Sequence, residues 1–571
     1  MKLKNIFALN VMAATLAACG GGDINLNPSN TVIDSNNTVV EGGPVAEVNP
    51  CAKYTAAGQV FQGIFASGNC TYAASFVSDS RPLTEDLFIP ELANNGLHIF
   101  EDSLFVGEDV NASAAASGIR VPQDGEGPTL TIAAGAKLAF SASEDYVRIA
   151  RGSRIVAEGT AAKPIVFSSV TDLRDNAGTE ADRGLWGGVQ INGNGLTNKC
   201  SDAERQPSGA NPHNCHATAE GRPAAYGGNN NAENSGSLRY VVIKHAGYEV
   251  VEGSELNGLT LNAVGSGTRI EYVQTYTTQD DGFEMFGGAV DLKHVVGVNV
   301  GDDTFDFSEG WTGNIQFALS VATSGGNTCV EADNTGSGRG DGIAPLTKGR
   351  ISNLTCLTSN VDAGQGDQPS SKGDSEGPVF REGAFFEMYN SIVTSSADGM
   401  SSNECLEIID SEGDQTIAAA KAGWSVVVSS VVACTEALKR GLYTPSNAPA
   451  GYVSPNADFD FKTWLTSGTN ANTNNVVVDT SVAGALPATL LQDLSTNNRA
   501  YITAPVMTDG TTASITIPAY DVTRLEDEFE AGAAPALGSA GSSSFFTAVD
   551  FIGAVKAGSD WTEGWTVGLS E

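Results

Sequence analysis

Positive charge is scarce in this sequence. Its 571 residues carry 31 Lys and Arg against 67 Asp and Glu, a formal net charge of −36. Nucleic acid is therefore excluded as a natural partner, since it attracts basic proteins. Only five histidines are present, which leaves little room for chemistry that needs several of them. The surplus of acids favours cation binding or a solvated acidic coat.

Long apolar runs are also missing after the first nineteen residues. There, Lys2 and Lys4 precede an apolar stretch that is too short to span a bilayer, which predicts a signal peptide over residues 1–18. The residues Leu16-Ala17-Ala18-Cys19 resemble the bacterial lipobox, and this implies cleavage before Cys19 and lipidation of its thiol; the alternative is an ordinary signal peptide. Gly20 resembles the outer-membrane default, so we expect a lipid anchor in the outer membrane and a polar tether over residues 19–50.

Eight cysteines remain once Cys19 is set aside, an even number that favours disulfides in an exported chain. An alternative at one place is a zinc site, because Cys200 and Cys215 lie near His213 and His216. No closely spaced Cys pair supports it, and the disulfide is the preferred interpretation. The order of the cysteines suggests four local pairs: Cys51 with Cys70, Cys200 with Cys215, Cys329 with Cys356, and Cys405 with Cys434.

Helical periodicity is rare, whereas glycine is abundant at 66 residues. Short apolar runs recur between Gly and Asn, as in LTIAAGAKLAF, LRYVVIKHAG and RIEYVQTYT. Such spacing is typical of an all-β solenoid, sandwich or barrel.

An internal repeat favours the solenoid. Residues 270–291 align with residues 292–313 at an offset of 22, which places Asp280-Asp281 on Asp302-Asp303 and GFEMF on TFDFS. A constant offset of this length suits one coil of three short strands, whereas a sandwich does not predict it. Alternation then points the Phe and Met side chains of these strands inward and Glu284 and Asp306 outward.

The order of these motifs resembles a known family. LTIAAGAKL, LWGGVQINGNG, AYGGNNNAENSGSLRYVVIKHAG and DDGFEMFGG followed by DDTFDF are similar to secreted or lipid-anchored right-handed parallel β-helix proteins of Gram-negative bacteria. The resemblance spans about residues 85–335 and again 540–571. It implies the fold, and it implies little about activity.

These observations predict an all-β, right-handed parallel β-helix with terminal caps. The expected ranges are an N-terminal cap at 51–125, the β-helix at 126–440 and a C-terminal segment at 441–571. Two short helices are predicted, within residues 425–442 and 458–468.

The sharpest chemical feature is a ladder of acids. Equivalent carboxylates on adjacent coils would lie about 5 Å apart, and their repulsion at an effective dielectric of 20 is about 3 kcal/mol per pair. Ca²⁺ is the cofactor that fits best, since it takes several oxygen ligands in loose geometry. The alternative is that the aspartates cap turns by accepting backbone N–H bonds. The candidate ligands are Asp280, Asp281, Glu284, Asp302, Asp303 and Asp306, with Glu309 nearby.

Paired acids on a β-helix also suggest an enzyme. The arrangement resembles that of polygalacturonases, which hydrolyse glycosidic bonds with close aspartates, but the companion Gly-His-Gly and Arg-Ile-Lys motifs are absent. A calcium-dependent lyase needs an Arg or Lys base, for which Arg269 and Lys293 lie near the ladder in sequence. The tryptophans Trp186, Trp311, Trp561 and Trp565 would stack on sugars if exposed.

No catalytic set is complete, so the preferred function is non-enzymatic. We expect an outer-membrane or cell-surface lipoprotein that binds a glycan or an envelope protein. The alternatives are a calcium-dependent polysaccharide lyase or glycoside hydrolase acting on acidic polysaccharide, and a structural surface component.

Overall fold

The computed structural model describes most of the chain after residue 48. The signal peptide, Cys19 and nearly all of the tether lie outside the described residues. In a first unit, residues 1–49, Thr31–Ile33 pairs antiparallel with Val39–Glu41; the second unit is residues 50–571. The described ranges are 49–251, 253–322, 326–335, 343–359, 375–395, 404–411, 413, 415–434, 436–468, 472–479, 515–525, 544–556 and 558–569, with the backbone of 31–33, 39–41 and 506–507.

The second unit is a parallel β-helix, as predicted. One side is a parallel sheet in which each strand pairs with the equivalent strand of the next coil, and ten strands of it fall within the described residues. In order along the axis, they are Leu104–Val106, Tyr146–Ile149, Gly188–Asn192, Leu259–Asn262, Phe283–Phe286, Phe305–Ser308, Thr328–Ala332, Glu376–Phe380, Glu407–Ile409 and Lys439–Gly441.

The rest of each coil belongs to a second sheet, of which the described residues contribute eighteen strands. All its pairings are parallel except that of Ile64–Ala66 with Asn69–Tyr72. The strands are Ile64–Ala66, Asn69–Tyr72, Leu87–Ile89, His98–Phe100, Thr129–Ile132, Lys137–Phe140, Arg154–Glu158, Ile165–Ser169, Gly236–Lys244, Arg269–Tyr276, Asp291–Val298, Asn314–Val321, Lys348–Thr358, Phe385–Tyr389, Ile392–Ser395, Val426–Val428, Val431–Cys434 and Val476–Asp479. Parallel pairing thus begins before residue 126 and continues after residue 440.

The long strands of the eighteen-stranded sheet turn a corner at one left-handed residue. In Arg269–Tyr276 this residue is Tyr272, where the pairing with the next coil is interrupted. Left-handed backbone is unfavourable for residues with a side chain, so its recurrence on successive coils shows that coil stacking holds the corner. The corner residues are Tyr240, Tyr272, His294, Phe317, Asn353, Asn390, Ser429 and Asn474, with φ between 48° and 61°.

Coil length is constant only over part of the molecule. Phe283 pairs with Phe305 and Met285 with Phe307, which confirms the 22-residue offset. Later coils are longer, since Ile315 pairs with Ile351. The additional residues lie in loops between strands, so the strands keep their register.

The core is a column of inward side chains. Phe283 and Phe305 stack with ring centroids 5.3 Å apart, and both are fully buried. Trp186 stacks on Phe140 at 4.6 Å inside the same column. Each coil therefore buries the apolar face of its neighbour, which is how short strands with frequent glycine form a stable unit.

Helices are few and short among the described residues. The helix predicted within 458–468 is present as Phe461–Thr466. The helix predicted within 425–442 is wrong: that segment forms strands, as expected for its β-branched valines, and the helix lies earlier, at Gln415–Ala422. None of the described helices has the length and hydrophobicity to cross a bilayer. The other helices are Ala112–Ala116 and Val170–Leu173, with 3-10 turns at Ala93–Asn95 and Val522–Arg524.

Small antiparallel hairpins lie outside the two large sheets of the described residues. One of them, Ala217–Thr218 with Ala225–Tyr226, belongs to the insertion that follows Gly188–Asn192. The others are Lys53–Ala56 with Gln59–Gln62, Glu249–Val251 with Ser254–Glu255, and Val506–Met507 with Ile515–Thr516.

Residues 544–556 and 558–569, which we call the strap, are held against the eighteen-stranded sheet by amide side chains. Gln274 donates to the carbonyl oxygen of Val567 and accepts from its N–H, at 2.7 and 2.8 Å. Gln316 pairs in the same way with Thr547, at 2.8 Å for both bonds. Each glutamine therefore satisfies both backbone groups of one strap residue, as a neighbouring strand would.

Candidate cation site on the ten-stranded sheet

Strand alternation places a row of carboxylates on the outer side of the ten-stranded sheet. Because Phe283 and Met285 point inward, Glu284 between them points outward, and it pairs in register with Asp306. Asp306 pairs in turn with Glu331 of the following coil. Three adjacent coils thus carry acids at the same position of the same sheet.

The preceding turn adds a second row, and here the aspartates cap backbone groups. The N–H of Asp281 donates to Oδ1 of Asn257, and the N–H of Asp303 donates to Oδ1 of Asp281, at 3.1 and 2.9 Å. Oδ1 of Asp303 accepts from the N–H and the hydroxyl of Thr328, at 2.7 and 2.6 Å. The turn-capping role predicted for these aspartates is therefore present, with one oxygen of each side chain.

The same aspartates also converge on two overlapping clusters. One consists of Asp280, Asp281 and Asp302, the other of Asp281, Asp303 and Asp306, and in each the oxygens lie within 4.8 Å of one another. Oδ1 of Asp306 is buried and has no hydrogen-bond partner among the described residues. Several carboxylate oxygens at this spacing are the donor set that hard divalent cations such as Ca²⁺ prefer.

Burial raises the pKa of Asp281, Glu284 and Asp306. Asp281, Glu284 and Asp303 are 6%, 5% and 3% exposed, so the outward direction predicted for Glu284 is right for the sheet, but the side chain does not reach solvent. Burial, together with the charge of Asp303, raises the pKa of Asp281 well above its ordinary value. Burial and Glu220 do the same to the pKa of Glu284, and burial and Asp303 to that of Asp306.

Farther along the sheet, side-chain cations lie among the acids. Arg381 binds Glu331 and makes a two-point ion pair with Asp333, with Nε–Oδ1 at 2.8 Å and Nη2–Oδ2 at 3.1 Å. Lys439 lies 3.1 Å from Glu404 and 3.3 Å from Glu407. Each of these carboxylate groups thus has a fixed countercharge.

Within the described part of the chain, the acids of the central coils lack such an ion pair, although the charge of Arg381 acts on Asp306 and partly offsets the rise that burial causes in its pKa. Among the described residues, Asp281, Glu284, Asp303 and Asp306 have no ion pair with a Lys or Arg. A bound cation at these coils would therefore do what Arg381 and Lys439 do at the later ones.

Sequence reasoning missed Glu331 and both cations. The coil between Asp306 and Glu331 is 25 residues long, so a comparison at an offset of 22 loses the third acid. Arg381 and Lys439 have no motif around them, and only the parallel register brings them to this side.

Other candidates lie elsewhere. Glu309 is not in the clusters; Lys199 at 2.9 Å and the hydroxyl of Tyr226 at 2.5 Å hold its carboxylate. Arg269 and Lys293 belong to the eighteen-stranded sheet, where Arg269 pairs with Glu271 and Lys293 donates to the strap. The structure therefore does not bring either cation to the acids.

The tryptophans and cysteines have structural roles. Trp186, Trp311 and Trp565 are buried and Trp561 is partly buried, so these rings pack against protein.

The four expected disulfides form, Cys51–Cys70, Cys200–Cys215, Cys329–Cys356 and Cys405–Cys434. The bond between Cys200 and Cys215 rules out the zinc alternative, because its thiolates are no longer available. His213 instead contacts Asn194, and His216 contacts Arg151.

Comparison with known proteins agrees with the architecture. A family model described as a pectate-lyase-like β-helix domain matches residues 122–444, which is more than half of the chain. Neither the curated proteins nor the solved structures yield a match. From the stacked parallel coils and this match together, the chain belongs to the pectate-lyase-like β-helix domain family.

Proposed function

We propose that this chain is a non-enzymatic lipoprotein of the outer membrane, anchored through Cys19, that uses its β-helix to bind a glycan or an envelope protein at the cell surface. A divalent cation, Ca²⁺ by preference, holds the central coils together in the acid clusters. The family fits a polysaccharide-related role at the cell surface, and the burial of Asp281, Glu284 and Asp303 favours metal over substrate as the ligand of the acids.

The observation that carries the proposal is the burial of two acids in each cluster, with the third partly buried. Asp281 and Asp303 each use one oxygen to cap the next coil, and both are more than nine-tenths buried. A cation here would bridge successive coils from inside the protein, which is a stabilising role. The ligands that would hold it are Asp280, Asp281, Asp302, Asp303 and Asp306, with Glu284 beside them.

The cation nearest to these acids is poorly suited to act as a base. Burial alone would lower the pKa of Arg381, but Asp333 and Glu331 raise it above the ordinary value for an arginine. A base must give up its proton before it can abstract one. Arg381 is instead held in the charged state by two carboxylates.

Calcium titration tests the metal. After dialysis against EDTA, we expect added Ca²⁺ to raise the unfolding temperature of the wild type by several degrees, as binding to the native state alone requires. The Asp281→Asn/Asp303→Asn variant should lose this increase, whereas Asp175→Asn, at an exposed acid outside the clusters, should keep it. A wild type that does not respond to Ca²⁺ removes the site from the proposal.

Glycan arrays and co-purification with envelope proteins test binding. Retention of specific glycans, or of one outer-membrane protein, is the expected result. If broad panels of both give nothing, the structural surface component becomes the better explanation.

A calcium-dependent lyase is the second candidate, favoured by the family match and by the carboxylate clusters that could hold Ca²⁺. Incubation with polygalacturonate and alginate, followed for unsaturated uronides and for reducing ends, separates the two functions. Unsaturated products that disappear in Arg381→Ala would establish the lyase, and new reducing ends without unsaturation would indicate a hydrolase.

A further inference from the structure

A cavity lies away from the acid clusters, at the turns that lead into the eighteen-stranded sheet. Its volume is about 470 Å³, within the range of small-molecule sites. Ser266, Ala289 and Thr312 contribute small side chains to it, and Asn231 comes from the insertion. Ser266 and Thr312 belong to different coils, so the cavity runs along the axis of the β-helix. We call it the turn trough.

The polar groups of the turn trough are mostly neutral and are fixed in place. Oδ1 of Asp291 accepts from both the backbone N–H and the side-chain amide of Asn314, each at 2.8 Å. This orients the Asn314 amide and leaves its carbonyl oxygen as an acceptor at the cavity. Lys348 also lines the wall, so its charge offsets that of Asp291. Amides and hydroxyls that converge on a cavity without net charge suit a ligand rich in hydroxyl groups.

An aromatic ring forms the remaining wall. Phe545 of the strap lines the turn trough and is only partly buried. The ammonium group of Lys293 donates to the carbonyl oxygen of Phe545 and to the hydroxyl of Thr547, both at 2.8 Å, and lies 5.0 Å from the ring centroid. The next residue, Phe546, is buried and meets Phe545 edge-on at 5.1 Å. These contacts hold the ring where the apolar face of a sugar can stack on it.

We propose that the turn trough binds a short neutral oligosaccharide segment, with its hydroxyls on Asn231, Thr312 and Asn314 and one ring on Phe545. This rests on the glycan-binding function proposed above and names its site and ligand class. The net charge of −36 disfavours an acidic glycan here. One coil rises by about 4.8 Å, which is comparable to the length of a sugar residue, so the successive coils that line the trough match two or three residues.

Saturation-transfer NMR and calorimetry on the full-length protein in detergent test the site. The neutral probes are maltotriose, cellotriose and chitotriose, and the acidic probe is trigalacturonate. We expect at least one neutral trisaccharide to bind, and Phe545→Ala to weaken it tenfold or more. Ser266→Phe should do the same by filling the trough from the turn before Arg269–Tyr276, which is not part of the strap. Phe88→Ala, at a phenylalanine that is 56% exposed on another strand, is the matched control.

The outcomes are distinguishable. Phe545→Leu keeps the apolar bulk against Phe546 and should still weaken binding, which separates stacking from a loosened strap. Binding that survives both Phe545→Ala and Ser266→Phe overturns the turn trough and leaves the glycan-binding function standing. A wild type that prefers trigalacturonate overturns the neutral ligand class. A wild type that binds no glycan overturns both the trough and the glycan part of the proposed function.

Discussion

The backbone N–H of Asp303 donates a 2.9 Å hydrogen bond to Oδ1 of Asp281, one coil earlier. Asn257 accepts from the N–H of Asp281 in the same way. An amide oxygen therefore serves this capping position as well as a carboxylate oxygen. The cap and the negative charge are separable properties of Asp281, and only the charge is useful to a cation.

Asp281→Asn should consequently fold and keep its cap but respond less to calcium. In EDTA we expect it to be at least as stable as the wild type, because one of several mutually repelling carboxylates is gone. In millimolar Ca²⁺ the wild type should become the more stable protein. Calorimetric unfolding temperatures in the two buffers provide the measurement. An Asp281→Asn variant that keeps the full calcium response would contradict the assignment.

Arg381→Ala should destabilise the protein and make it more dependent on calcium. It leaves Glu331 and Asp333, 8% and 7% exposed, without their partner. Loss of a buried partner costs 3–5 kcal/mol, but Arg381 is 40% exposed, so we expect about 1–3 kcal/mol in urea unfolding with EDTA. Added Ca²⁺ should recover part of it. The control is Arg174→Ala, which removes an exposed ion pair and should leave the stability almost unchanged; equal losses in the two variants would count against the prediction.

Glu233→Gln should change how stability depends on pH. The Glu233 carboxyl is 1% exposed, accepts from Gly265 N–H and Ser235 hydroxyl, and has its pKa raised by burial from 4.5 to about 7. Between these pH values the folded protein keeps the proton while the unfolded chain loses it. The contribution of Glu233 to the free energy of unfolding is therefore full below pH 4.5 and is lost as the pH rises to 7.

Glutamine can replace both hydrogen bonds and cannot ionise. We expect Glu233→Gln to match the wild type at pH 4.5 and to exceed it by about 1–3 kcal/mol at pH 8. Chemical unfolding at several pH values checks this. Parallel pH profiles for the two proteins would show that Glu233 does not titrate in this window.

Gln274→Leu/Gln316→Leu should release the strap without unfolding the coils. Each substitution leaves the backbone N–H and C=O of one strap residue without its partner, which weakens the attachment of the strap. Hydrogen exchange should rise over residues 544–556 and 558–569 and stay unchanged in the ten-stranded sheet. Gln59→Leu, at an exposed glutamine in the first hairpin of the second unit, should change neither. Unchanged exchange in the strap would show that its other contacts, such as that of Lys293 with Phe545, are enough to hold it.

The sequence predicted the parts of the fold that depend on local alternation. Phe283 and Phe305 align in the sequence repeat because the offset between their two neighbouring coils is a constant 22 residues. A simple offset therefore detects their pairing. The corner residues could not be predicted in this way. Tyr272, His294 and Phe317 look like ordinary strand residues, and their left-handed conformation goes with the stacking of successive coils, which places their rings 4.3 and 4.7 Å apart.

The candidate site was predicted in part for the same reason. Asp281 and Asp303 are visible in the repeat, and the structure gives them both the capping role and the close oxygens. Glu331 and Arg381 escape detection because longer loops separate their coils from the repeat. The contact between these two side chains follows from the parallel register of the strands, which is not visible as a pattern in a single sequence.

The disulfides determine how this molecule would respond to a pull along the chain. A β-helix under tension can unspool one coil at a time, because each coil is bonded only to its neighbours. Cys329–Cys356 and Cys405–Cys434 each join two successive coils through the core, across 27 and 29 residues. A pulling force on the N-terminus would therefore lengthen the chain in steps until the disulfides prevent further extension. The last coils would keep their shape under a load that had already unwound the first ones.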